Sequence, residues 1–156
     1  MTTTQGTGAL EAMLAHHDEL LGAVATKIRA LADSLEDPER YQLAAADLAY
    51  YLSADVLSHA TAEEGSLYPA AVAIDGLAGT VEEMIKEHRQ LAAAIERLGN
   101  ARLPGEALAE ARGIGSLFAS HVAKENEVLL PALVADGSVD LDGLLVRMHR
   151  LFEAAR

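Results

Sequence analysis

SHATAEEGSLYPAAVA, Ser58 to Ala73, is written twice in this chain. From Ser120 the sequence reads SHVAKENEVLLPALVA, which aligns with it without a gap. Ser58/Ser120, His59/His121, Glu63/Glu125, Leu67/Leu129, Pro69/Pro131, Ala70/Ala132, Val72/Val134 and Ala73/Ala135 are identical. Each copy carries a His and, four residues on, a Glu. On a helix that spacing sets imidazole and carboxylate on one face, about 40° apart and one turn from each other. A single such pair is common. Two in matching apolar frames ask for an explanation.

Working outward, each copy sits near the end of a long helical pattern. From about Glu39 to Glu64 the inward line is Leu48, Leu52, Val56, His59 and Glu63, apolar until its last two members. Gly65 and Pro69 close that helix. The second copy ends a helix from about Glu106 to Leu130, with Ile114, Leu117/Phe118, His121, Glu125 and Val128 inward. Before the first copy, Leu10, Met13, Leu14, Leu20, Leu21, Val24, Ile28 and Leu31 recur at three- and four-residue steps from Ala9 to about Ala32. His17 falls on the same heptad phase as Leu10, Val24 and Leu31, so it points inward, and His16 sits about 100° round the helix. Between the copies, Thr80 with Glu83 reads as a capping box opening a third helix that ends near Gly99. Its inward line is Val81, Met84/Ile85, His88, Leu91/Ala92, Ile95 and Leu98. A short amphipathic helix, Leu141 to about Ala154, closes the chain.

Nothing in the sequence signals a strand. Four long amphipathic helices on short links predict an all-α, antiparallel up-down-up-down four-helix bundle with a short extra C-terminal helix. Residues 1–8 read as a disordered lead-in and 9–156 as one domain, a size that can bury a core. MTTTQGTG has neither the basic nor the apolar region of a secretory signal. No apolar run reaches the roughly 18–20 residues of a membrane span. The net charge of −12, from 12 Lys+Arg against 24 Asp+Glu, argues against nucleic acid and anionic membrane as partners. The absence of cysteine excludes disulfides, thiolate metal sites and cysteine nucleophiles. It suits a cytoplasmic protein.

The repeat extends beyond the two copies. Each half supplies a lone His and then His-x-x-x-Glu: His17, His59 and Glu63, followed by His88, His121 and Glu125. Two helical hairpins related by a pseudo-twofold would bring these six together inside the bundle. Burying carboxylates and imidazoles without partners costs several kcal/mol each, and the same faces carry too few Lys or Arg to neutralise them. A bound cation relieves both problems. Four imidazoles with two carboxylates suit iron, manganese or zinc rather than calcium or magnesium. The even split suits two metals bridged by Glu63 and Glu125, iron being the preferred identity. A lone inward His is commonly a satisfied core residue, but six such residues at matched core phases are not. No His-Glu-x-x-His, no Glu-x-x-His and no Gly-rich phosphate loop is present.

HHDEL at 16–20, SHATAEEGSLYP at 58–69, KEHRQL at 86–91 and SHVAKENEVLLP at 120–131 resemble the hemerythrin-like (HHE cation-binding) proteins. The resemblance runs from about Ala9 to Leu133. It implies that His17, His59, His88 and His121 ligate a non-haem di-iron centre. It further implies that Glu63 and Glu125 bridge the irons, which can share an oxo or hydroxo group. Members of that family bind dioxygen reversibly, sense oxygen or iron, or decompose peroxide and other small oxidants. In the oxygen carriers the third helix supplies two His four apart. Here the residue four before His88 is Met84, a poor ligand for ferric iron.

One iron is thereby left a ligand short, and an open position favours reaction over storage. Tyr68 is the first side chain to consider for the gap, provided the backbone breaks near Gly65 and turns it inward. Glu64 and His16 neighbour the ligands in sequence and would serve behind them; His149 reads as surface. The expected function is reaction with hydrogen peroxide or related small oxidants at an incompletely ligated iron, a catalase-like activity. Reversible binding or sensing of dioxygen or iron is the alternative. The sequence does not fix an oligomeric state.

Overall fold

The computed structural model describes residues 4–156, with side chains from residue 6 onward. All its regular elements are helical. Helix α1 spans Thr4–Ala32. Residues 1–3 lie outside the described residues, and from Thr4 to Gly8 the backbone is already helical, so the helix starts ahead of Ala9. Asp37 caps the next helix by accepting the Arg40 N–H at 3.2 Å, and Pro38 follows it in the first turn, where no N–H is needed.

Helix α2, Pro38–Tyr51, passes through a π-helical turn, Leu52–Val56, into α3, Leu57–Glu64. In that turn the Leu57 N–H bonds to the Leu52 carbonyl, five residues back. The chain then breaks at Gly65 and Ser66 and resumes as α4, Leu67–Val72. Ser66 Oγ donates to the Ala62 carbonyl at 2.6 Å, satisfying one freed acceptor of the broken turn.

Helix α5 spans Ala78–Asn100. It starts before Thr80, whose side chain caps nothing. The positive φ of Gly76 (86°) turns the chain so that Leu77 enters the core, and the Val81 N–H bonds to the Leu77 carbonyl at 3.0 Å. The expected capping box is therefore not formed.

Helix α6, Pro104–Lys124, runs through a second π-helical turn, Glu125–Leu129, into α7, Leu130–Ala135. The wider turn shifts the phase of the residues within and beyond it. Val128, expected inward, is exposed, and Leu129 and Leu130 are fully buried in its stead. Helix α8, Leu141–Ala155, is capped by Asp140, which accepts the Gly143 N–H at 3.0 Å.

The helices bury two apolar clusters. One contains Leu20, Val24, Leu48, Leu52, Leu91, Ile114 and Phe118, from α1, α2, α5 and α6 with the first π turn. The other contains Met13, Leu67, Tyr68, Met84, Leu130 and Met148, where α4, α7 and α8 close over one end of the bundle. Along every long helix a polar position separates them. His17 lies between Met13 and Leu20, and His88 between Met84 and Leu91. Among the described residues no helix is long and apolar enough to cross a membrane.

Candidate metal centre

The layer between the two clusters is the candidate site. His17, His59, Glu63, His88, His121 and Glu125 are each at least nine-tenths buried and converge from α1, α3, α5 and the α6/α7 rod. They form two sets of four. His17, His59, Glu63 and Glu125 make one; Glu63, His88, His121 and Glu125 make the other. Within each set the donor atoms lie within 4.8 Å of one another.

Both carboxylates belong to both sets. Glu63 Oε1 faces His59 Nε2 at 3.4 Å and His88 Nε2 at 3.6 Å, and its Oε2 lies 4.0 Å from His17 Nε2. Glu125 Oε1 is 2.5 Å from His121 Nε2, and its Oε2 is 3.4 Å from His17 Nε2.

The outward nitrogens of three imidazoles are held in place. His88 Nδ1 donates to Glu64 Oε1 at 2.8 Å. His121 Nδ1 donates to Glu87 Oε2 at 2.6 Å, and Glu87 also receives Lys124 Nζ. His17 Nδ1 pairs with Asn126 Oδ1 at 2.6 Å. Such bonds fix the tautomer that leaves Nε2 free to ligate. Glu64, which sequence reading places next to the candidate ligands, is the partner of the His88 imidazole. Sequence periodicity missed Glu87 and Asn126, although each is adjacent to a site residue, Glu87 before His88 and Asn126 after Glu125.

The electrostatics are those of a site built for positive charge. Burial and then repulsion from Glu63 lift the Glu125 carboxyl to about 7. Burial opposes ionisation of Glu63 as well, but His59 and hydrogen bonds from its neighbours hold it well below the usual carboxylate range. The two buried carboxylates are thus driven apart, Glu63 towards the ionised form and Glu125 towards the protonated one. Burial pulls His121 down, yet Glu125, Glu63 and Glu87 together lift it to about 9.

Even so, His17 Nε2, His59 Nδ1, Glu63 Oε2 and Glu125 Oε2 are buried with no hydrogen-bond partner. Each such atom costs about 1–3 kcal/mol. Three of these four atoms, one nitrogen and two carboxylate oxygens, face one another around His17. Nitrogen and oxygen donors left bare in this pattern fit a transition-metal ion of the borderline class.

Tyr68 enters the same layer. The break at Gly65 turns α4 so that the Tyr68 hydroxyl donates to Glu125 Oε1 at 2.9 Å and lies 3.2 Å from both His88 Nε2 and His121 Nε2. Its ring stacks on His88 at 5.3 Å. Burial and the two carboxylates raise its pKa, so the phenol is neutral until a cation opposes them. Met84 is fully buried in the apolar cluster that also contains Tyr68.

A cavity of about 10 Å³ is bordered by His59, Glu63, His88, His121, Glu125, Leu91 and Phe118. His16 is half-buried, its ring 4.9 Å from His59 and 5.6 Å from Phe152. Burial and the neighbouring His59 and His17 hold it down at about 4. With His149, which is exposed, it lines a mostly apolar cleft of about 480 Å³ between α1, α3 and α8.

This helical fold with its buried His/Glu layer defines a cation-binding class of helical domain. The family model described as hemerythrin HHE cation binding domain matches residues 8–133, and the chain belongs to that family. Helix α8 lies beyond the matched residues. No curated protein and no solved structure matches the chain.

Proposed function

We propose that the chain holds two metal ions, iron by preference, and uses them to decompose hydrogen peroxide or a related small oxidant. The observation that carries this is the pair of four-donor sets sharing Glu63 and Glu125, with three bare donor atoms turned on one another. Manganese and zinc suit the same donors. Bound metal supplies redox and Lewis-acid chemistry. The chain's own residues do the rest. Glu63 and Glu125, shared by both donor sets, would hold both ions, and His17, His59, His88 and His121 would complete the two positions. Tyr68, its oxygen 3.2 Å from both His88 and His121, would supply a donor there in place of Met84. Apolar neighbours on both sides of the layer keep bulk water from the reacting atoms.

The reading includes the up-down-up-down helix order. Arg97 pairs with Glu110, and His88 meets His121, so partners climb along α6 as they descend along α5. A cysteine-free acidic chain also suits a reducing cytoplasm.

The test is metal analysis with one absorption spectrum before and after peroxide. Two irons per chain are expected, with a phenolate-to-iron band that Tyr68→Phe removes. Peroxide should yield water and dioxygen in a two-to-one ratio over many turnovers. Protein that cannot be loaded with any metal overturns the proposal. A persistent oxygen adduct without peroxide loss would favour reversible dioxygen binding.

A further inference from the structure

We infer that the two metal positions are unequal: the one at His88 and His121 fills first and holds tightly, and the one at His17 and His59 fills second and exchanges. This rests on the two-metal reading above. The repeat that relates the two halves also relates the residues behind the ligands, and there the halves have diverged. Glu64 follows Glu63 and backs His88 of the other hairpin at 2.8 Å. Its repeat counterpart, Asn126, follows Glu125 and backs His17 at 2.6 Å. Glu87 precedes His88 and backs His121 at 2.6 Å. Its counterpart, His16, precedes His17 and lies beside His59, whose Nδ1 has no partner at all.

One position therefore has a carboxylate behind each imidazole and the Tyr68 oxygen in reach. The other has a neutral amide behind one imidazole and nothing bonded behind the second. A carboxylate makes the imidazole a stronger donor and adds negative charge near the cation; an amide only orients the ring. Lys124 anchors Glu87 and so fixes the stronger arrangement. The weaker position is also the one whose His59 borders the cleft between α1, α3 and α8, an exit for a departing ion.

The experiment is titration of the metal-free full chain with Co²⁺, followed by calorimetry and by the cobalt absorption spectrum. Two one-equivalent steps are expected, about tenfold or more apart in affinity, since loss of one such supporting residue typically costs about 10–100-fold. Glu87→Gln should weaken the first step by that factor, and Asn126→Asp should strengthen the second and narrow the gap. His17→Ala should still take one equivalent at the first-step affinity. Uptake of two equivalents in a single step overturns the inference while leaving the two-metal centre intact. So does a Glu87→Gln variant in which only the second step moves. Failure to bind Co²⁺ at all overturns both.

Discussion

His121 ties the centre to the stability of the metal-free fold. Its folded-state pKa of about 9 stands above the ordinary 6.5. The folded protein therefore holds a proton that the unfolded chain gives up across that interval. Stability from this residue is fully present below 6.5 and is lost as pH rises through 9. Glu125, lifted from 4.5 to about 7, acts in the same sense between those two values. His16, lowered to about 4, acts in the opposite sense, but only below 6.5. Thermal melts of metal-free protein should accordingly fall in midpoint between pH 6.5 and 9. Metal-loaded protein should be nearly flat there, because its ligands have already released their protons. A flat metal-free profile would refute this account of His121.

At the scale of elements, the break between α3 and α4 directs Tyr68, and α8 is seated on it. A Cβ at Gly65 would lie 2.8 Å from Leu151 Cδ1 of α8. Gly65→Ala should therefore cost about 1 kcal/mol, the lower end for overpacking, because the tip of Leu151 can swing aside. Urea unfolding would check it, and an unchanged midpoint would show that α8 does not press on this turn.

The long helices, their inward lines and the six donors were legible because a buried polar residue interrupting an apolar stripe is visible at a period of 3.6. Where the period itself changes, that reading fails. The turn Glu125–Leu129 is π-helical, so Val128 points out and Leu129 points in. The start of α5 departs from the local sequence signal for a different reason. Burial of Leu77 outweighs the local chemistry of Thr80. Glu87 and Asn126 stayed hidden because each reaches across to another helix, a relation that periodicity along one helix does not carry.

Over the whole molecule, the polar layer cuts the apolar interior into two clusters that share no buried member. The six His and Glu donors lie between them. A metal pair would clamp that seam from both hairpins at once, so loading decides whether the chain melts as one cooperative unit. In metal-free protein, calorimetric enthalpy should exceed the van't Hoff value, the end closed by α4, α7 and α8 letting go first. In loaded protein the two enthalpies should agree. Equal enthalpies in both forms would mean that the backbone rods alone carry cooperativity past the seam, and that the ions act as passengers rather than rivets.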